Sequence, residues 1–159
     1  MFMGIEYSKD STESYRQLAD QLQLLLDGEK NRIANLSNAS ALLSNFLERT
    51  NWTGFYLMEE GELVLGPFQG LPACIRIPMG RGVCGTSAKN RETLVVEDVH
   101  SFEGHIACDS ASQSEIVLPL VKNNELIGVL DIDSPEIGRF SEEDRVGLEQ
   151  FVEVLLRHI

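Results

Sequence analysis

The chain sets 25 acidic against 13 basic side chains over 159 residues, a formal net charge of −12, and its Lys and Arg are scattered rather than gathered into the basic stripe that a phosphate backbone needs. This argues against a nucleic-acid partner. No apolar run approaches the roughly 20 residues that span a bilayer, which argues against a membrane partner as well. With 43% hydrophobic and 24% charged residues, the composition suits one globular domain over residues 1–159. The opening MFMGIEYSKDSTESYRQ has no basic start followed by an apolar core, so a cytoplasmic protein is expected.

From Tyr15, apolar residues recur at Leu18, Ala19, Leu22, Leu25 and Leu26, with Asp10 and Glu13 as a start signal and Gly28 as a stop. That spacing predicts an amphipathic helix. A second helical stripe follows at Ile33, Leu36, Ser40, Leu43, Phe46 and Leu47. TGFYLM and ELVLGPF flank Glu60 and Gly61 as a hairpin, and Pro67, Gly70 and Pro72 then break the chain before a short strand from Cys74 to Ile77. Gly82 to Asn90 reads as a short helix and Thr93 to Val96 as a strand. The polar stretch from Glu97 to Ser114 has no periodicity and is long enough to be a functional loop. SEIVLPLVK and ELIGVLDID form a second hairpin about Asn123 and Asn124. Ser141 with Asp144 resembles a helix cap, and Leu148, Phe151, Val152 and Leu155 give the last helix its buried face. Strands joined by tight turns are antiparallel, so the order predicts an α+β fold with helices covering one sheet.

Three cysteines, Cys74, Cys84 and Cys108, lie in segments rich in Gly, Ser and His rather than in apolar runs. Reactive thiols need solvent access and a setting that favours thiolate, whereas buried ones are inert hydrophobes. In a reducing compartment a cysteine pair points to catalysis or metal binding before a permanent staple. Gly80, Gly82 and Gly85 fit a G-x-G-x-x-G pattern, but a dinucleotide fold requires parallel crossovers that these hairpins do not supply. The glycines suit a tight turn, or backbone N–H groups at a helix start meeting an anion such as a ligand carboxylate. Asp131 and Asp133 alternate along a strand and share one face, which suits a solvated strand end or a bound cation, ammonium included. Trp52 and Tyr56 share a face with Gly54 and suit either a core or the wall of an apolar pocket. His100, His105 and Cys108 do not match a recognised zinc spacing.

NWTGFYL, PMGRGVCGTSA, EDVHSFEGHIACDSASQSEIVLPL and IGVLDIDSP together resemble the free methionine-(R)-sulfoxide reductases, a family with a GAF-like antiparallel sheet sandwiched by helices. The resemblance covers nearly the whole chain and implies that residues 1–48 supply N-terminal helices that pack on the sheet. It also implies a thiol oxidoreductase that uses no bound metal or organic cofactor, acts on the free amino acid and is recycled by thioredoxin. Cys108 would be the nucleophile, Cys74 its resolving partner and Cys84 a third redox cysteine. Glu115, Asp131 and Asp133 would form an acidic pocket beside Trp52 and Tyr56. A ligand-binding sensory GAF domain and a thiol sensor without a small substrate are the rival readings, and a homodimer is left open. One register problem stands. In an ideal hairpin with Lys122 opposite Glu125, Glu115 falls opposite Ile132 and points away from Asp131, so convergence requires a bulge, with Pro119 as a candidate break.

Overall fold

The computed structural model describes residues 2–159. Helix α1 (Ser11–Leu26) starts where Asp10 accepts a hydrogen bond from Glu13 N–H, and α2 (Arg32–Phe46) where Asn31 accepts from Ala34 N–H. Strands β1 (Trp52–Glu59), β2 (Glu62–Gln69) and β3 (Arg76–Pro78) lead to helix α3 (Gly82–Asn90), then to β4 (Leu94–Val96). The polar stretch is not wholly irregular: Asp98 caps a single 3-10 turn at Val99–Ser101. Strands β5 (Ser114–Lys122) and β6 (Glu125–Ser134) form the long hairpin, and α4 (Glu142–Leu156) closes the chain behind a reciprocal Ser141–Asp144 capping box. Among the described residues no helix is long and apolar enough to cross a membrane.

The six strands form one antiparallel sheet in the order β3-β2-β1-β6-β5-β4. Because side chains alternate, the sheet has two apolar faces. Phe55, Ile116, Leu118, Leu120, Leu130 and Ile132 pack against α1, α2 and α4. Tyr56, Leu63, Val117 and Val129 face the other way, toward α3 and the Val99–Ile106 segment. Tyr15 ties the helical layer together by donating to Asp144 Oδ1 at 2.7 Å while lying where a Cβ on Gly147 would meet its ring at 2.1 Å.

Two expectations change. Ile33 is 56% exposed, because Asn35 is the inward residue of that turn and donates to Glu29 O and His158 O. The strand expected from Cys74 begins at Arg76, leaving Cys74 on the segment that leads into the sheet edge. Pro67 is accommodated within β2 where the pairing slips between Gly54–Phe68 and Tyr56–Leu65, since a bulge removes the need for its missing N–H.

Candidate active site

The hairpin register decides which carboxylates meet. Lys122 pairs with Glu125 and Val121 with Leu126, as in an ideal two-residue turn, but Leu120 then pairs with Gly128. Ile127 is the extra residue of a bulge, and beyond it every side chain of β6 has changed its partner by one. Glu115 therefore lies opposite Asp133, and Val117 opposite Asp131. Pro119 stays in the ladder opposite Val129, so the break lies nearer the turn than that proline. On the other side of β6, Trp52 lies opposite Asp133 and Gly54 opposite Asp131. Glu115, Asp131, Asp133, Trp52 and Tyr56 thus project from one face.

Trp52 stacks on Tyr56 at 5.7 Å and on Phe68 at 5.2 Å between ring centroids. Gly54 makes this possible: a Cβ there would sit 2.3 Å from Phe68 Cβ and 2.8 Å from the indole. Trp52 Nε1 donates to Leu71 O at 3.1 Å, and Tyr56 donates its hydroxyl to Cys74 O at 3.0 Å. The aromatic wall is therefore held against the segment that carries Cys74.

Helix α3 supplies the opposite wall. Gly82, at φ +62°, turns the chain into the helix under Ile106. Gly85 faces Pro78 O, which an added Cβ would approach to 2.4 Å. Arg81, the residue before the helix, makes no side-chain cap, so the first N–H groups have no such partner beside the cavity that Arg81, Gly82, Val83 and Cys84 line. The cavity measures about 30 Å³, room for little more than a water molecule or two.

Cys74 and Cys108 are joined in a disulfide with Cα atoms 5.3 Å apart. Cys108 lines the cavity; Cys74 does not. Cys84 is free and buried, and its thiol donates to Glu115 Oε1 at 3.8 Å. Burial first, then Asp131, raises the pKa of both the Cys84 thiol and the Glu115 carboxyl well above their ordinary values. Burial likewise lifts Asp131 to about 6, partly offset by hydrogen bonds from Glu115 and Cys84. Asp133 is raised by enclosure and by the charges of Asp131 and Asp109. Three carboxyls this close cannot all ionise, and Glu115 is the one best placed to hold a proton toward Asp131. Among the described residues, Cys84, Glu115 and Asp131 have donor atoms within 4.8 Å of one another, close enough to share a metal ion. Metal binding would demand the deprotonated thiol and carboxyl that burial opposes, so the set suits proton sharing better.

Several neighbours were not singled out from sequence. Asn51 donates to Asp109 Oδ2 at 3.0 Å and to Ser112 Oγ at 3.1 Å, fastening the Cys108 loop to the start of β1. Asp109 Oδ1 accepts from Ala111 N–H, a local turn that the Asp-Ser-Ala sequence does signal. Of the two loop histidines, His100 is exposed, whereas His105 is half-buried, lines the cavity, and has its pKa lowered by burial and by His100.

Residues 15–159 match the GAF domain. The chain is 57% identical to the free methionine-R-sulfoxide reductase of Escherichia coli over 143 residues, 90% of this chain and 87% of that protein. The fold superposes on the X-ray structure of free methionine-R-sulfoxide reductase from Neisseria meningitidis in complex with its substrate with a TM-score of 0.93 at 41% identity, covering 99% of this chain and 95% of that one. It superposes on the reduced form of the corresponding Staphylococcus aureus protein with a TM-score of 0.89 at 49% identity, covering 99% of both chains. By sequence and by fold, the chain belongs to the GAF family and, within it, to the free methionine-R-sulfoxide reductases.

Proposed function

We propose that this protein reduces free L-methionine-(R)-S-oxide to L-methionine with Cys108 as nucleophile. The Cys108 thiolate attacks the sulfoxide sulfur while Glu115 delivers a proton to the oxygen. The S–O bond breaks as the protonated oxygen passes to Cys108 Sγ, and the bond between the two sulfurs breaks with its electron pair going to the departing thioether, so the sulfoxide sulfur gains two electrons and Cys108, having lost two, becomes a sulfenic acid. Cys74 then displaces water from that sulfur to give the disulfide. A cytoplasmic dithiol protein, thioredoxin, reduces it and is itself oxidised, so no bound metal or organic cofactor takes part.

The carrying observation is the Cys74–Cys108 bond at a cavity walled by Trp52, Tyr56, Glu115, Asp131 and Asp133. Asp131 and Asp133 suit the ammonium group, the uncapped start of α3 suits the carboxylate, and the aromatic rings suit the thioether methyl. A peptide-bound sulfoxide lacks both terminal charges, leaving polar groups unpaired at ~1–3 kcal/mol each. Cys84, expected from the resemblance as a third redox cysteine, serves here as a protonated thiol donor within the carboxyl cluster, because burial and the neighbouring carboxyls oppose its thiolate. Incubation with free methionine-R-sulfoxide and dithiothreitol is expected to yield methionine, and Cys108→Ser none. Consumption of peptide-bound sulfoxide with no free methionine formed from the free substrate rules the reading out.

A further inference from the structure

We infer that His105 accepts the proton of the Cys108 thiol in the reduced protein and returns it to the hydroxyl that leaves Cys108 as the disulfide forms. The inference rests on the proposed reductase reading and supplies the base that reading needs. Gly104 takes φ +77° in a turn closed by His105 N–H on Phe102 O at 3.2 Å, and Ile106 then packs over Gly82, where an added Cβ would meet it at 3.2 Å. The turn and this packing set His105 and Cys108, three positions apart in one loop, on the wall of the same cavity. The imidazole Nδ1 is enclosed and has no hydrogen-bond partner among the described residues. A buried ring nitrogen left unpaired is costly, and a partner that it meets in another state of the protein accounts for it. In the disulfide, Cys108 Sγ has no proton to give; once reduced, it does.

Charge is the reason an imidazole suits this task. Cys108 shares the cavity with four carboxyls, Asp109, Glu115, Asp131 and Asp133, and negative neighbours hold a thiol protonated. Passing its proton to a carboxylate only relocates negative charge within the cavity. Passing it to a neutral imidazole sets a cation beside the new thiolate. Arg81 also borders the cavity, but a guanidinium cannot accept a proton. Cys84 is a buried thiol that donates to Glu115, and His100, its ring centroid 6.5 Å from that of His105, is exposed and lies outside the cavity wall. Burial and then His100 lower the pKa of His105, which leaves it neutral and able to accept at pH 7. The protons balance. That of Cys108 goes to His105, and that of Glu115 goes to the sulfoxide oxygen, which becomes the hydroxyl of the sulfenic acid. As the Cys74 thiolate attacks Cys108 Sγ, the S–O bond breaks with its electron pair on oxygen, and His105 protonates the departing hydroxyl to water. The proton of Cys74 goes to solvent, and Glu115 regains one from solvent.

The test uses the reduced full chain in two measurements. Alkylation of Cys108 by iodoacetamide, mapped by peptide mass as a function of pH, needs no sulfoxide. His105→Gln is expected to move its onset to higher pH, so that the rate at pH 7 falls about tenfold. Single-turnover formation of methionine from the free sulfoxide is expected to slow about a hundredfold at pH 7 and much less at pH 9, where hydroxide removes the thiol proton. His105→Asn is made alongside, and whichever variant keeps the melting temperature of the unaltered protein decides the question. An alkylation profile that does not move, or a single-turnover rate that falls equally at both pH values, overturns the inference and leaves His105 a structural part of the loop. If the unaltered reduced protein forms no methionine, it is the reductase reading that has failed, and the alkylation profile still decides whether His105 ionises Cys108.

Discussion

The Asp131 carboxyl is 7% exposed and its Oδ1 meets no conventional donor, while burial raises its pKa to about 6. A carboxyl titrating higher in the folded than in the unfolded chain adds stability that is complete at low pH, below the unfolded value near ~3.9, and is lost as pH rises through the folded one. Keeping Asp131 ionised at neutral pH therefore costs the fold at most about 3 kcal/mol. Asp131→Asn is expected to raise the melting temperature at pH 8 and to change it little at pH 4, while lowering turnover of free sulfoxide more than tenfold. Equal destabilisation at both pH values would show that the carboxylate is structural. The spacing of Asp131 and Asp133 made their shared face readable from sequence. The Asn51 clamp on Asp109 was not readable, because partners 58 positions apart leave no local pattern.

At the level of elements, local chemistry made the turns and caps legible. Asn123 and Asn124 both take positive φ, as do Glu60 and Gly61, and each pair closes a hairpin at the place the sequence indicated. The Ile127 bulge carries no residue signature of its own, and only the need for Glu115 to join Asp131 on one face pointed to it. Helix α3 depends on a close approach that a sequence shows merely as one more glycine. A Cβ on Gly85 would meet Pro78 O at 2.4 Å and Gly80 N at 3.1 Å, both backbone atoms that cannot rotate aside. Gly85→Ala must push α3 off the end of β3, at ~1–3 kcal/mol of overpacking. Because the displaced turn carries Cys84 and the uncapped N–H groups, the KM for free methionine sulfoxide is expected to rise about fivefold or more, by the loss of ~1 kcal/mol of binding. A fall in melting temperature with KM unchanged would separate the packing of α3 from its part in the site.

Across the whole molecule, one sheet serves two tasks: its Phe55 and Ile132 face packs on three helices, while its Tyr56 and Asp131 face holds the site under α3 and a loop. The antiparallel pairing of β1 with β2 and of β5 with β6 was legible because tight turns permit nothing else, whereas the β1–β6 seam that joins the two hairpins was not. The Cys74–Cys108 pairing was not, since α3 and β4 lie between the two residues, and the family resemblance supplied it. That bond closes a span of 34 residues and fastens the Cys108 loop to the segment entering β3. Constraining such a span in the unfolded chain is worth about 4 kcal/mol in the chain-entropy view, which for a domain of this size corresponds to roughly 8–15 °C in melting temperature. The oxidised protein is therefore expected to melt higher than the same protein in dithiothreitol, and Cys74→Ser to melt with the reduced form under either condition. Scanning calorimetry with and without reductant makes the comparison, and a reduced protein as stable as the oxidised one would mean that the loop is already fixed by contacts such as the Asn51 clamp. In that case reduction opens a bond without loosening the loop, and the disulfide would serve the redox chemistry without contributing to the order of the cavity wall that Cys108 and Asp109 form.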